Sequence, residues 1–438
     1  MSAGPMRVLM VSASYLPDMG GTEMHVHEVS GRLARTGDFE ITVLTADRTR
    51  SRPRVEVIDG VTVLRVPAWP SDRDYFLAPK IASVVGYRGT WDLVHCQGVH
   101  TPVPVLAMLA AGRARTPYMV TFHTGGHTLA HRNALRALQW RVIGPLLRKA
   151  ASLVAVSHFE ADSLSALAHL GRKTVTVIRN GGTMPPPAPG TRVIPGRIVS
   201  CGRLERYKGH QRVIEALPDV IHGNPDAHLE IIGRGPYEAE LRSCAERHRV
   251  ADRVTIRQVP PADREAMATA LAQASVIAAM SEYEAHPVAV MEALSVGRPV
   301  VGYDTAGIGE LVAEKLVQGV APNAPPSTVA EQLLAAMTGP APAGIPDLPT
   351  WDTSAEKLGQ LYLETAGHGL AKEEVLCPHA LPCLQRFLLA RASLWSFASI
   401  PRTGGIRSAP RSTQCARRRC RAQRRLSSSI TIPRCTSD

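Results

Sequence analysis

Four short segments carry residue types that could do chemistry together. The longest runs Ser281-Glu282-Tyr283-Glu284-Ala285-His286-Pro287-Val288-Ala289-Val290-Met291-Glu292, closing on Gly297-Arg298-Pro299-Val300-Val301. An apolar run ends in a turn, and a helix is expected from about Pro287, where proline's missing N–H costs nothing. The amides of Val288 and Ala289 then lack intrahelical acceptors and, with the helix dipole behind them, suit an anion. Glu284 and Glu292 are carboxylates of the kind that accept hydrogen bonds from sugar and ribose hydroxyls. Taken alone, they read equally as a capping acid and an ordinary helix-face glutamate. The second segment, Gly202-Arg203-Leu204-Glu205-Arg206-Tyr207-Lys208-Gly209, places two cations, Arg203 and Lys208, in a strand-to-helix loop. Such a pair can neutralise a diphosphate, though alone it reads as a solvated surface pair.

The third segment, Gly20-Gly21-Thr22-Glu23, offers close backbone approach and amide donors before a helix, or simply a tight turn. It is not the Gly-x-Gly-x-x-Gly fingerprint, which disfavours a nicotinamide enzyme. The fourth, Thr121-Phe122-His123-Thr124, ends an apolar run, where His123 would hydrogen-bond a ligand hydroxyl or rest as a satisfied interior histidine. His25 with His27, and His95 with His100, match no zinc spacing and have no paired cysteines, so no metal site is expected.

These segments need strands to present them. Short β-type runs alternate with helical patterns, which argues for parallel βαβ units. Strands are expected at Val8–Val11, Ile41–Leu44, Val61–Val66, Leu93–His95, Tyr118–Phe122, Leu153–Val156 and Val175–Ile178, with helices at Thr22–Arg35, Val103–Ala111 and His158–His169. The run Met184-Pro185-Pro186-Pro187-Ala188-Pro189-Gly190, continuing to Pro195-Gly196, can extend neither a helix nor a central strand and reads as a linker. A second βα series follows, with strands at Ile198–Cys201, His228–Ile232, Val254–Ile256, Ser275–Ala279 and Pro299–Val301. Its helices fit Gln211–Ile221, Tyr237–His248, Arg264–Gln273, Val288–Val296 and Thr328–Met337, and a last amphipathic helix follows Trp351. Two doubly wound α/β halves would then face each other across a deep cleft, with ligands beyond the carboxyl ends of the strands.

The chain has 438 residues and a formal net charge of +12, which invites a polyanionic partner. The charge is unevenly placed. From Val375 onward there are twelve Arg and a single acid, Asp438, so that segment carries +11 and the remainder only +1. No specific nucleic-acid partner is therefore expected of the body. Five of the eight Cys lie in the last 62 residues, and the body has only Cys96, Cys201 and Cys244, as expected of a reduced, cytoplasmic protein. No apolar run approaches a spanning helix, and Val8–Val11 is too short for the core of a signal peptide.

In their order along the chain, the four segments resemble the GT-B glycosyltransferases of the large retaining group, family 4. Gly233-Arg234-Gly235-Pro236, Val156-Ser157, Asn180-Gly181 and the helix Trp351–Glu364 also fit, so the resemblance covers about residues 6–367. It implies two Rossmann-like domains, at 1–182 and 197–350, joined by a proline-rich linker over 183–196 and followed by a crossover helix at 351–368 and a basic tail at 369–438. It also implies roles. Arg203 and Lys208 would hold the donor diphosphate and stabilise its leaving charge in place of a metal, with no cofactor needed. Glu292 would take the ribose; Glu284 with the Val288 and Ala289 amides would take the sugar and phosphate. His123 would contact the donor sugar, Gly20 and Gly21 would close on the phosphates, and Gly233 and Gly235 would border the nucleotide.

The family often has Gly-Phe-Gly where this chain has Ala285-His286-Pro287, and His286 would supply a side-chain contact there. The expected reaction moves a hexose-type sugar from a nucleotide-diphosphate sugar to a hydroxyl of a glycan, lipid-linked or small-molecule acceptor, with retention. The alternative is an epimerase or hydrolase of sugar nucleotides on the same fold. Leu129 to Lys149, with Arg132, Arg136, Arg141, Arg148 and Lys149 beside Leu138, Trp140, Ile143 and Leu147, suggests peripheral contact with an anionic membrane at its inner face, or a helix packed on the first half with a solvated basic side. The tail is expected to be poorly ordered and resembles an out-of-frame extension of a GC-rich gene.

Overall fold

The computed structural model describes residues 4–18, 20–71, 76–123, 140–141, 143–171, 173–339 and 347–367. The basic tail and residues 129–139 of the basic amphipathic stretch lie outside the described residues. Two parallel sheets organise the chain. The first has eight strands in the order β3-β4-β2-β1-β5-β6-β7-β8. They are β1 (Met6–Ser12), β2 (Phe39–Asp47), β3 (Val55–Ile58), β4 (Val61–Pro67), β5 (Leu93–Gln97), β6 (Tyr118–Thr121), β7 (Ser152–Ala155) and β8 (Thr176–Val177). Only β3 runs antiparallel, against β4 at one edge. The second sheet has six strands in the order β11-β10-β9-β12-β13-β14: β9 (Arg197–Cys201), β10 (His228–Ile232), β11 (Val254–Arg257), β12 (Val276–Ala279), β13 (Val300–Tyr303) and β14 (Gln318–Val320).

The continuous apolar runs explain the central strands. Val8, Leu9, Met10 and Val11 are wholly buried, as a strand covered by helices on both faces requires. In each sheet the strand order reverses beside the first strand of the half, between β1 and β5 and between β9 and β12. At that reversal the flanking connections leave toward opposite faces and open a crevice at the carboxyl ends. The loops after β9 and β12 are the segments that carry Arg203, Lys208 and Glu284.

Residues between the sheets form neither helix nor strand from 181 to 196, in keeping with the proline-rich sequence. The final helix, Trp351–Gly367, returns to the first half. Trp351, Leu358 and Tyr362 share a core with Met24, Val29 and Leu33 of the helix Gly21–Thr36 and with Phe39. Polar links also join the halves: Arg179 pairs with Glu310 and Glu314, and Asn180 Nδ2 donates to the His286 carbonyl over 3.3 Å. Among the described residues, no helix is long and apolar enough to cross a membrane. Of the basic amphipathic stretch, Trp140, Ile143 and Leu147 are buried, and Arg148 reaches the carbonyls of Ala168 and His169.

Candidate active site

The β9 loop is a compact turn held by its own backbone. A single 3-10 turn spans Arg206–Lys208, and Gly209 follows with φ +73°. A Cβ there would stand 1.8 Å from the Met280 carbonyl oxygen, so both conformation and space demand glycine. This contact draws the β9 loop onto the end of β12. His210, opening the helix His210–Gly223, pins the turn from below, its Nδ1 2.8 Å from Ser200 Oγ and its Nε2 3.3 Å from the Arg203 carbonyl. Burial pushes that imidazole down to about 4, so it serves as a neutral strut.

Tyr207 stands between the two cations. Arg203 Nη2 donates to its hydroxyl over 2.8 Å, and Lys208 Nζ lies 5.5 Å from its ring centre. The Arg203 side chain is 59% exposed and also pairs with Glu205 over 3.0 Å, so its guanidinium stands at the surface of the loop. Lys208 is largely covered and donates to Glu284 of the β12 loop. Burial works against the Lys208 charge, but Glu284 beside it outweighs this and holds the ammonium above its usual range. The β9 and β12 loops therefore meet directly through Lys208 and Glu284.

Beyond Glu284, Pro287 is the N-cap residue and the helix spans Val288–Ser295, close to the expected Val288–Val296. The backbone of Pro287 is extended (φ −78°, ψ 101°), so the amides of Val288 and Ala289 open the helix without intrahelical partners. Glu292 lies one turn further in. It is buried and accepts from Arg264 Nη2 at the start of the helix Arg264–Ala272. Burial raises the Glu292 carboxyl, and Arg264 opposes that rise. His286 is only 6% exposed, and neither ring nitrogen has a hydrogen-bond partner among the described residues. Burial, with Arg179 nearby, pushes it down to about 3. Gly233 and Gly235 pack on the β9 loop: a Cβ would fall 1.9 Å from the Gly202 oxygen and 2.3 Å from the Leu204 oxygen. Their glycine requirement is met by this packing.

The first half brings its own groups. Gly20 caps the helix Gly21–Thr36 in an extended conformation, and no atom would crowd a Cβ on Gly21. The Glu23 carboxylate folds back on the amides of Gly20 and Glu23 and occupies the helix N-terminus. Burial raises this carboxyl, while those amides and Arg203 of the other half lower it, so Glu23 and Arg203 feel each other across the cleft. His123 follows β6 in the left-handed region at φ +51°, rare for a residue with a side chain. Its Nε2 lies 2.8 Å from Gln97 Oε1, and its ring meets His25 edge-on at 4.5 Å between centres. Among the described residues, no group of three or more His, Cys, Asp or Glu side chains is arranged to hold a metal ion.

Sequence reasoning singled out the charged and glycine positions but missed Tyr207, Gln97 and Arg264. Tyr207 and Gln97 had a usable signal, since both lie at or just beyond a strand's carboxyl end. Arg264 had none, because only tertiary folding sets it against Glu292.

Two Rossmann-like sheets whose strand-end loops carry Arg203, Lys208 and Glu284, with a helix N-terminus at Val288 beside them, fit a GT-B glycosyltransferase. Comparison with known proteins agrees. The family model for glycosyl transferases group 1 matches residues 191–343, and that for glycosyltransferase family 4 matches residues 19–181. A glycogen synthase of Mycobacterium tuberculosis is 30% identical over 336 residues, covering 70% of this chain and 80% of the relative. A D-inositol 3-phosphate glycosyltransferase of Xylanimonas cellulosilytica is 30% identical over 364 residues, covering 72% and 84%. The solved sucrose-phosphate synthase of Thermosynechococcus elongatus superposes with a TM-score of 0.64 at 20% identity, covering 83% of this chain and 100% of that one. Anabaena HepE, solved with UDP-glucose, gives 0.58 at 19%, covering 84% and 98%. The chain belongs to family 4 of the GT-B glycosyltransferases. It is an enzyme that transfers sugar from a nucleotide-sugar donor.

Proposed function

We propose that the enzyme moves a hexose-type sugar from a nucleoside-diphosphate sugar to an acceptor hydroxyl with retention at the anomeric carbon. The observation that carries this reading is the pairing of Lys208 with Glu284 where the β9 and β12 loops meet, with Arg203 held on the same β9 loop by Tyr207. Arg203 and Lys208 bind the diphosphate and stabilise its charge as the sugar–phosphate bond breaks. This charge supply removes the need for a resident metal or other cofactor. Glu284, with the Val288 and Ala289 amides, holds the sugar and the adjoining phosphate. Glu292 takes the ribose hydroxyls, exchanging Arg264 for them. His123 contacts the donor sugar, His286 backs the turn that recognises it, and Gly20 and Gly21 approach the phosphates once Glu23 yields the helix N-terminus. Gly233 and Gly235 border the nucleotide.

The family resemblance favours a front-face, ion-pair-like transition state over the flanking carboxylate pair of a glycosidase. The acceptor hydroxyl then attacks the face the diphosphate is leaving, and its proton passes to the departing phosphate oxygen. Closure of the two halves completes the site and excludes water. HepE was solved with UDP and glucose, and relatives are named as glycogen synthase and inositol-phosphate glycosyltransferase, which supports a nucleoside-diphosphate hexose and a polyol or glycan acceptor. The free Cys96, Cys201 and Cys244 suit a cytoplasmic enzyme, with peripheral contact at the inner membrane face when the acceptor is lipid-linked.

The test is a donor panel with purified protein, reading released nucleoside diphosphate with and without acceptor, followed by NMR of the new glycosidic bond. Acceptor-dependent release and a product with the donor's anomeric configuration are expected. Equal donor consumption without acceptor would favour an epimerase or hydrolase, and an inverted product would overturn retention.

A further inference from the structure

Behind the cleft, a buried row of polar side chains ends on His123. Strand register sets Gln97, the last residue of β5, beside Thr121 of β6, two positions before His123. From there Gln97 Oε1 lies 2.8 Å from His123 Nε2, while its amide nitrogen faces His95, 3.2 Å and 3.3 Å from the two ring nitrogens. His95 is in turn clamped: Nε2 lies 2.7 Å from Thr121 Oγ1, and Nδ1 lies 2.6 Å from the hydroxyl of Tyr362 on the C-terminal helix. His95, Gln97, Thr121 and Tyr362 are all buried. The row holds more polar groups than packing needs, and His123 sits at its end in a strained left-handed conformation.

The chemistry of the amide fixes a direction. A carbonyl oxygen only accepts, so His123 must donate from Nε2, and a neutral ring that donates from Nε2 has its lone pair on Nδ1. The ring is neutral because burial, with His25 and His95 nearby, keeps it well below the usual histidine range. Among the described residues, the titratable groups that act on it are His25, from the helix Gly21–Thr36, and His95, from β5; burial lowers these to about 4 and about 3, so neither supplies a competing charge.

We propose that Gln97 is a positioning residue that holds His123 as the Nε2–H tautomer, so that Nδ1 accepts a hydrogen bond from a hydroxyl of the donor sugar. Tyr362, Thr121 and His95 fix Gln97, which ties the returning C-terminal helix to the reacting centre. The inference rests on the reading of His123 as a donor-sugar contact.

The experiment compares Gln97→Glu, Gln97→Leu and His123→Ala in the full chain, with pH profiles of kcat/KM. In Gln97→Glu a carboxylate faces His123 and favours the imidazolium, whose Nδ1–H can no longer accept. That variant should lose about tenfold at neutral pH and recover as pH rises through a new ionisation absent from the wild type. Gln97→Leu should lose about tenfold with no new ionisation, because the tautomer is no longer fixed. Long-range proton–nitrogen spectra of histidine-labelled wild type should show His123 protonated on Nε2, a readout that survives if a variant fails to fold. A wild-type rate and pH profile in both Gln97 variants, or an Nδ1–H tautomer in the wild type, would overturn the proposal. Near-normal activity in His123→Ala would instead remove the donor-contact reading beneath it, so the two failures are distinguishable.

Discussion

Replacing His286 with leucine removes a buried imidazole that has no hydrogen-bond partner among the described residues. Two effects follow, and they separate by pH. The first is a constant: relief of an unsatisfied polar group, worth about 1–3 kcal/mol, offset by whatever misfit the new side chain brings. The second depends on pH. Burial lowers the His286 imidazole from 6.5 to about 3 in the folded state, with Arg179 adding to the effect. A group depressed in this way contributes stability that is fully present above its unfolded value and is lost as pH falls toward the folded one. At about pH 5, one and a half pH units below the unfolded value, the wild type has given up about 2 kcal/mol through this residue, at about 1.4 kcal/mol per pH unit. Leucine does not titrate, so His286→Leu should gain about 2 kcal/mol on the wild type between about pH 7.5 and pH 5. The misfit term cancels in that difference. Urea unfolding of both proteins at the two pH values measures it. A stability gap that is the same at both would refute the claim that His286 is buried neutral in the folded protein.

Lys208→Ala should lower kcat/KM by about a hundredfold or more, since it removes a cation aimed at the leaving charge and leaves Glu284 facing the phosphates. It should also destabilise the fold by up to about 3–5 kcal/mol by orphaning a largely buried carboxylate. Adding Glu284→Gln should restore most of the stability but not the rate, measured by denaturation and turnover on the same preparations. Gly209→Ala combines a positive φ with a Cβ 1.8 Å from a carbonyl oxygen, so the β9 loop must move. Soluble protein with wild-type turnover would contradict the packing described for that loop.

Much of the fold was legible because parallel sheets covered on both faces write their strands as apolar runs. Val8–Val11, His228–Ile232 and Ile198–Cys201 were found for that reason, and the proline-dense linker marks itself. The antiparallel edge strand β3, only four residues and half exposed, carries no such run. The helix Ala306–Ala313 was missed because two glycines in its first turn lower its local propensity. The site divides the same way. Arg203, Lys208 and Glu284 stood out in the sequence because they follow apolar strand runs, and Glu292 because it recurs on the helix that comes next. The partner choices could not be read. Lys208 with Glu284, Arg264 with Glu292 and Gln97 with His123 join residues between 26 and 76 positions apart. Only the tertiary fold brings them together. Nor did the sequence show that the Glu23 carboxylate turns back on the helix N-terminus beside Gly20. The whole-chain charge, finally, said little about the cleft, whose cations are few and placed.

The most direct test of the account is equilibrium binding of a nucleoside diphosphate and the matching monophosphate by calorimetry, for the wild type and for Arg203→Ala/Lys208→Ala. If these two residues hold the diphosphate, the wild type binds the diphosphate at least about tenfold more tightly, worth about 1.4 kcal/mol, and the double variant loses that preference while keeping its monophosphate affinity. Equal preference for the diphosphate in both proteins would contradict the central claim.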